Sequence, residues 1–387
     1  MDLTYTAAEE VFRGQLREFL ARNVPGEEPP DDPDAEFGWL RLFQRRMFAG
    51  GWCGIHWPKA FGGRDATPTE QAIFVEEMAR ARAPQLVNRV GINNVGPTIM
   101  HYGTEAQRQR WLPGILSADE IWCQLYSEPD AGSDLASLRT AAIADGDGWR
   151  VSGQKVWTSY AQHAQWGILL ARTDAAAPPH RGISYFVVEM NQPGVEVRPL
   201  RQLDGSVDFN EVFLEDVRIP SDHLIGNRDE GWKISTLTLA HERGTNFAFK
   251  EQALAKIALQ EILEEAGRRG RLADPVFRQA AARLHTEVEI MRLLNLGTLT
   301  RIGCGEVPGA ETSIVKEHWS RLVQDLGDLS LQVLGAAGQL RQTTDHSPGG
   351  GRFVQRMLFS RAASIAGGTS EIQKNIIAQR LLGLPRT

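Results

Sequence analysis

The hydrophobic period of this chain changes twice, and that double change limits its fold more than any other feature. Up to about Glu120 the apolar residues recur at helical spacing. Val11, Leu16, Phe19 and Leu20 share one stretch, Phe37 to Phe48 forms a second, and Thr69 to Arg82 a third with Ile73, Phe74 and Met78 on one side. Prolines and acids between Pro25 and Asp34, and the aromatic loop from Trp57 to Gly63, interrupt them. From Ile121 to about Gly226 the pattern becomes short runs rich in β-branched and aromatic residues: Val151 to Val156, Trp166 to Ala171, Ile183 to Val188. Asp145-Gly146-Asp147-Gly148 and Pro178-Pro179 punctuate them. After Gly231 the helical period returns, almost unbroken, to Leu382. The expected architecture is α+β: an N-terminal α-helical domain over 1–120, a middle antiparallel β-barrel or sandwich over 121–226, and a C-terminal four-helix bundle over 227–387.

Composition removes several function classes. A net charge of −6, with only Arg268-Arg269-Gly270-Arg271 as a basic cluster, argues against a nucleic-acid partner. No run approaches the ~20 apolar residues of a membrane span. The start, Met1-Asp2-Leu3-Thr4-Tyr5, has neither the basic nor the apolar part of a secretory signal. Cys53, Cys123 and Cys304 are scattered and lack metal-ligand spacing, so the expectation is a cytoplasmic protein with reduced thiols and no metal.

The chemistry concentrates in three segments. Gln124-Leu125-Tyr126-Ser127-Glu128-Pro129-Asp130-Ala131-Gly132-Ser133-Asp134 sets turn formers and hydroxyls beside the apolar pair Ile121-Trp122, offering backbone N–H groups to a polar or heteroaromatic ligand. Trp157-Thr158-Ser159 follows a β-rich stretch. Gly367-Gly368-Thr369-Ser370-Glu371-Ile372-Gln373 precedes a last helix, with Ser370 as expected N-cap, Gln373 at N3 of a capping box, and Gly383 and Pro385 as the stop. In this order and spacing the three segments closely resemble the acyl-CoA dehydrogenase family, and the resemblance covers essentially the whole chain.

That resemblance implies FAD as cofactor, an acyl-CoA thioester as substrate in lipid metabolism, and α,β-dehydrogenation. A carboxylate takes the α-proton while the β-hydrogen leaves as hydride to flavin N5. It implies flavin contacts from Gln124, Leu125, Tyr126, Ser127, Gly132 and Ser133, with Ser133 also near substrate, and from Trp157, Thr158 and Ser159. Thr369, Ser370 and Glu371 match the adenosine-diphosphate end. Gln332 and Gly335, in Gln332-Val333-Leu334-Gly335-Ala336-Ala337-Gly338, match a segment that touches the FAD of a neighbouring subunit. An arginine that holds the partner's pyrophosphate has two candidates, Arg271 and Arg278.

The base departs from the usual pattern. Most of the family place a glutamate immediately before Gly-Thr-Ser, where this chain has Gly367. A minority carry it on the first long helix of the bundle, just before an arginine, and Ala240-His241-Glu242-Arg243 stands at the matching place. On a continuous helix Glu242 shares its face with Ser235, Thr238, Leu239, Thr245, Asn246 and Phe249, a face with no other charge. Glu242 is therefore the expected base, against a structural ion pair. Arg243 is expected to orient it or to touch substrate, and the N–H groups around Gly367 and Gly368 to bind the thioester carbonyl. The resemblance further implies an electron-transfer flavoprotein or similar acceptor and a homotetramer, with a hetero-oligomer open. Two other readings stay in view: a flavin oxidase or monooxygenase on the same fold, and a non-catalytic partner subunit.

Overall fold

The computed structural model describes residues 4–30, 32–242, 245–304, 306, 309–341 and 347–385. Five helices come first: α1 (Ala7–Asn23), α2 (Pro33–Ala49), α3 (Pro68–Arg80), α4 (Gly96–Tyr102) and α5 (Glu105–Ser117). Seven strands follow: β1 (Trp122–Leu125), β2 (Ala141–Asp145), β3 (Gly148–Ser159), β4 (Trp166–Arg172), β5 (Ile183–Glu189), β6 (Val195–Leu200) and β7 (Phe209–Pro220). The remainder is helical: α6 (Gly231–Glu242), α7 (Thr245–Arg268), α8 (Pro275–Gly303), α9 (Thr312–Leu334), α10 (Arg352–Ser360) and α11 (Ser370–Ile376). The α, β, α order read from periodicity is the order observed.

Packing groups these elements differently from their order along the chain. Residues 17–67 and 82–242 form one compact unit, and residues 1–16, 68–81 and 243–387 another. The first unit is built on a single seven-stranded sheet in the order β1-β4-β2-β3-β7-β6, with β5 also on β4. The β2–β3, β3–β7, β6–β7 and β4–β5 pairings are antiparallel, as expected, while β1 runs parallel to β4 from Trp122↔Trp166 to Leu125↔Leu169. The β2–β3 hairpin accounts for this. It turns at the expected Asp-Gly-Asp-Gly run, and the long crossover from β1 to β4 that it occupies lets those two strands point the same way. The sheet buries Leu125, Val151, Phe186, Val188 and Val212 with no exposed surface, and Phe37 of α2 packs onto the same core.

Close to this sheet the chain makes a wide, single π-helical turn at Gly91–Val95, a form frequent at functional sites. Trp57, fully buried, braces it by donating its indole Nε1–H to the Ile92 carbonyl at 2.9 Å. Gly96 is required beside it, since a Cβ there would lie 2.0 Å from the Trp57 ring.

The second unit is helical. Ile262, Leu284, Met291, Leu326, Val333 and Phe353, from α7, α8, α9 and α10, form its core. α3 joins it through Ala72 and Val75, which pack with Phe249 of α7. The stretch read as the first long helix holds α6, which packs on β5 and on the π-turn, and α7; α8 and α9 follow as long helices. Among the described residues no helix is long and apolar enough to cross a membrane.

Candidate functional site

The loop after β1 is held from beneath by a buried ion pair. Glu128 and Ala131 exchange backbone hydrogen bonds at 3.1 Å each, closing a turn with Pro129 and Asp130 at its tip. The Glu128 carboxylate points inward and accepts from the Arg139 N–H at 2.7 Å, the Thr140 N–H at 2.9 Å and Lys155 Nζ at 2.9 Å. Lys155, on β3, has no exposed surface and also donates to the Tyr126 carbonyl at 3.0 Å. Burial pushes both groups toward neutrality; at Lys155 it outweighs the opposing pull of Glu128 and leaves the ammonium lowered to about 8. Lys155 and the donated N–H groups outweigh burial at Glu128 and hold its carboxyl below the usual carboxylate range. With the Val156 N–H on the Ser127 carbonyl at 2.9 Å, the loop is stitched to β3 along its length. Its outer side keeps Gly132, Ser133 and Asp134 exposed, and the Ser127 and Ser133 hydroxyls have no partner among the described residues. The Leu125 and Tyr126 side chains are buried, so neither side chain is open to a ligand.

Sequence reasoning did not single out Lys155 or Glu128. A signal existed: Lys155 shares the inward side of an apolar strand with Val151, where an ammonium demands a buried acceptor.

Two residues beyond Lys155 the strand bulges. The β3–β7 register slips between Lys155 and Thr158, and Trp157 sits in the gap at φ +60 with its indole 62% exposed. A left-handed non-glycine residue costs about 1–2 kcal/mol, and bulges of this kind re-aim a side chain. Among the described residues the exposed indole has one aromatic neighbour, Phe209, edge-on at 6.2 Å between centroids. Thr158 turns the other way, fully buried, with its carbonyl held by Asn210 Nδ2 at 3.0 Å and its hydroxyl unpartnered among the described residues. Ser159, the last residue of β3, is half-buried.

Gln124 leads from the loop into a buried polar chain. Its Oε1 accepts from Asn94 Nδ2 of the π-turn at 3.1 Å. Thr98 donates to the Asn94 carbonyl at 2.8 Å and contacts Thr238 of α6, Oγ1 to Oγ1, at 2.9 Å, while the Tyr185 hydroxyl lies 3.3 Å from the same Thr238 oxygen. With one proton on each hydroxyl and that of Thr98 directed to Asn94, Thr238 donates to Thr98 and accepts from Tyr185. Ile234, Ser235 and Thr238 are buried, so the uncharged face expected for this helix faces inward as far as it is described. Glu242 lies on α6, one turn beyond Thr238. Its side chain, and Arg243 altogether, lie outside the described residues. His241 precedes it; burial and the nearby His101 push its ring below the usual histidine range.

In the helical unit the C-terminal motif forms a turn of two left-handed glycines, Gly367 at φ +66 and Gly368 at φ +97. The cap that follows differs from expectation by one residue. Thr369, not Ser370, is the N-cap of α11, accepting from the Ile372 N–H at 3.3 Å. Gln373 does not reach back to a cap N–H. Fully buried, it donates to the Gly367 and Gly368 carbonyls at 3.2 Å each, because the left-handed glycines turn those carbonyls inward. Ser370 is half-buried and Glu371 exposed. Gln332, near the end of α9, and Gly335, at φ +57, are exposed, and a Cβ on Gly335 would meet nothing. Of the arginines nearby, Arg269 reaches this segment, donating to the Leu334 carbonyl at 3.3 Å. Arg271 pairs with Asp274 at 3.2 Å, and Arg278 caps the Leu272 and Ala273 carbonyls. No group of three or more His, Cys, Asp or Glu among the described residues is arranged to hold a metal ion.

Sequence models of three consecutive domains match the chain: the acyl-CoA dehydrogenase N-terminal domain over residues 6–119, the middle domain over 123–217 and the C-terminal domain over 229–382. The chain belongs to the acyl-CoA dehydrogenase family. Among relatives, it is 39% identical over 384 residues to acyl-CoA dehydrogenase IpdE1 of Mycobacterium tuberculosis, covering 97% of this chain and 98% of that one. Among solved structures it resembles the Tcur3481-Tcur3483 steroid ACAD, with a TM-score of 0.89 and 32% identity. It also resembles the ChsE4-ChsE5 complex from Mycobacterium tuberculosis, with a TM-score of 0.86 and 34% identity; all of both chains is covered in each case.

As an acyl-CoA dehydrogenase the protein is an FAD-dependent oxidoreductase acting on acyl-CoA. The residues of the sheet unit suit that cofactor. An outward, flat indole supplies a stacking surface, the unpartnered Ser127 and Ser133 hydroxyls supply donors, and Gly132, where a Cβ would meet nothing, leaves the backbone accessible.

Proposed function

We propose that this acyl-CoA dehydrogenase desaturates a bulky, steroid-derived acyl-CoA at its α,β-bond, with Glu242 as the base. The observation that carries the choice of base is the turn at Gly367. The position has no carboxylate, and φ +66 is a conformation in which a glutamate would be strained. Glu242 lies on a helix whose described inward face, Ile234, Ser235 and Thr238, carries no charge to compete with it. Glu242 takes the α-proton, and Arg243 orients it or meets the substrate. The N–H groups at Gly367 and Gly368 receive the thioester carbonyl as negative charge develops on it. Gln124 to Ser133 and Trp157 to Ser159 hold the isoalloxazine, with Ser133 also near substrate, while Thr369, Ser370 and Glu371 hold the adenosine-diphosphate end. When bound, FAD supplies the two-electron acceptor for the β-hydrogen. An electron-transfer flavoprotein or similar carrier reoxidises it, in the cytoplasm, in keeping with three free cysteines of which Cys304 is exposed.

The steroid class rests on the likeness to the Tcur3481-Tcur3483 steroid ACAD. That structure and the ChsE4-ChsE5 complex favour a hetero-oligomer over a homotetramer. In such an assembly Gln332, Gly335 and Arg271, or Arg269 in its place, would meet the FAD of the adjoining subunit. Anaerobic titration with straight-chain, branched and steroid side-chain acyl-CoAs, following flavin absorbance, tests the reading. Bleaching by the steroid thioester in wild type, abolished in Glu242→Gln with FAD retained, is expected. Bleaching that survives the substitution removes Glu242 as base, and a purified chain that binds no FAD moves the partner-subunit reading forward.

A further inference from the structure

We infer that the buried Glu128–Lys155 pair is a positioning device for FAD, setting the cofactor loop and the Trp157 bulge in one fixed relation. The inference rests on the reading that this loop and this indole face the flavin.

Besides the bond between them, three backbone hydrogen bonds hold the pair, from two separate stretches: Tyr126 in the loop, and Arg139 and Thr140 ahead of β2. Lys155 stands one residue before the register slip that throws Trp157 outward, and its Nζ bonds to the loop at both Tyr126 and Glu128. The two ligand-facing features are therefore linked through one side chain. The Val156 N–H on the Ser127 carbonyl adds a backbone tie beside it. A loop of small and turn-forming residues around Gly132 has many conformations of similar energy. Fixing its inner carbonyl and carboxylate on a rigid strand selects one of them. The strained φ of Trp157 fits the same account, since a left-handed aromatic residue persists only where its surroundings determine it. A pair present for stability alone does not have to sit here, because apolar side chains of similar size do as well or better in a buried site.

The test compares wild type with Lys155→Met, Glu128→Gln and the double variant Glu128→Gln/Lys155→Met. Three quantities are read: melting temperature of the apoprotein, the FAD dissociation constant from quenching of flavin fluorescence, and the position of the bound-flavin absorption bands. Each single variant leaves one buried group uncompensated, so melting temperature and FAD affinity both fall. The double variant carries no unpaired charge and recovers most of the melting temperature. It still binds FAD about tenfold or more weakly, with shifted bands, because fewer loops occupy the competent arrangement. A double variant that binds FAD like wild type, with unshifted bands, overturns the inference and leaves the pair a structural one. If the single variants do not fold, the double variant alone decides. Trp157→Phe and Ser133→Ala check the underlying reading separately: unchanged FAD affinity and spectrum in both would show that the loop and indole do not face the flavin.

Discussion

Acid sensitivity should centre on His56. Its neighbours Ile55 and Trp57 are buried, and its ring is hydrogen-bonded with the Ile92 backbone. Burial first, and the nearby His241 second, push it down to about 4 from the usual 6.5. The folded protein therefore keeps this ring neutral while the unfolded chain protonates it. Stability from this source is intact above pH 6.5 and is lost as pH falls toward 4. Each pH unit between the two values is worth about 1.4 kcal/mol, so the full effect approaches ~3 kcal/mol, of which about 2 kcal/mol disappears between pH 7.5 and pH 5. His163, His223 and His241 are also held low by burial and add slope of the same sign. For that reason the measurement is a difference. Urea unfolding of the apoprotein at fixed concentration, at pH 7.5 and 5.0, is compared between wild type and His56→Gln. The variant should lose about 2 kcal/mol less than wild type over this interval. Equal losses would mean that His56 titrates normally in the folded protein, and the packing described around Trp57 and the π-turn would then be wrong.

Thr238→Val should destabilise the protein by about 1–3 kcal/mol, because the buried Tyr185 hydroxyl loses its hydrogen-bond contact on α6; stopped-flow flavin reduction should also slow without a matching change in substrate affinity. Thr98→Val should cost less in the same unfolding assay, since Thr238 can turn its proton to the Ile234 carbonyl 3.2 Å away. Gly367→Ala should lower stability by about 1–2 kcal/mol in thermal unfolding, the cost of a Cβ at φ +66. Trp157→Gly should leave the apoprotein as stable as wild type or slightly more so, because glycine accepts φ +60 without strain, while FAD titration shows weaker binding.

What the sequence disclosed was periodic or local. Helical and β spacing marked the α, β, α order and placed α2 and α3 within a few residues of their observed starts, and the Asp-Gly-Asp-Gly run marked the β2–β3 turn. What stayed hidden depended on partners far along the chain. Nothing local to Ala72 and Val75 says that they meet Phe249, and nothing local to Glu128 says that its carboxylate turns inward to Lys155. The cap at Thr369 was misplaced by one residue because Ser370 satisfies the same pattern, and only the left-handed pair Gly367-Gly368 shifts the helix start. The arginine for the adjoining subunit's FAD, Arg271 or Arg278, depends on contacts with a second chain; within this chain it is Arg269, by its phase at the end of α7, that reaches the Leu334 carbonyl.

The end of the sheet at β6 bears on how this protein survives at high concentration. β6 pairs only with β7, so its other side is a row of backbone groups open to strand addition. Its sequence, Val195-Glu196-Val197-Arg198-Pro199-Leu200, resists that. Pro199 lacks an N–H, and Glu196 and Arg198 pair with each other at 2.7 Å as exposed charges. An intruding strand would lose a rung at the proline and meet both charges. The strand thus acts as a stop against edge-to-edge aggregation, which matters most for a chain that must emerge from the ribosome and fold before it finds its cofactor.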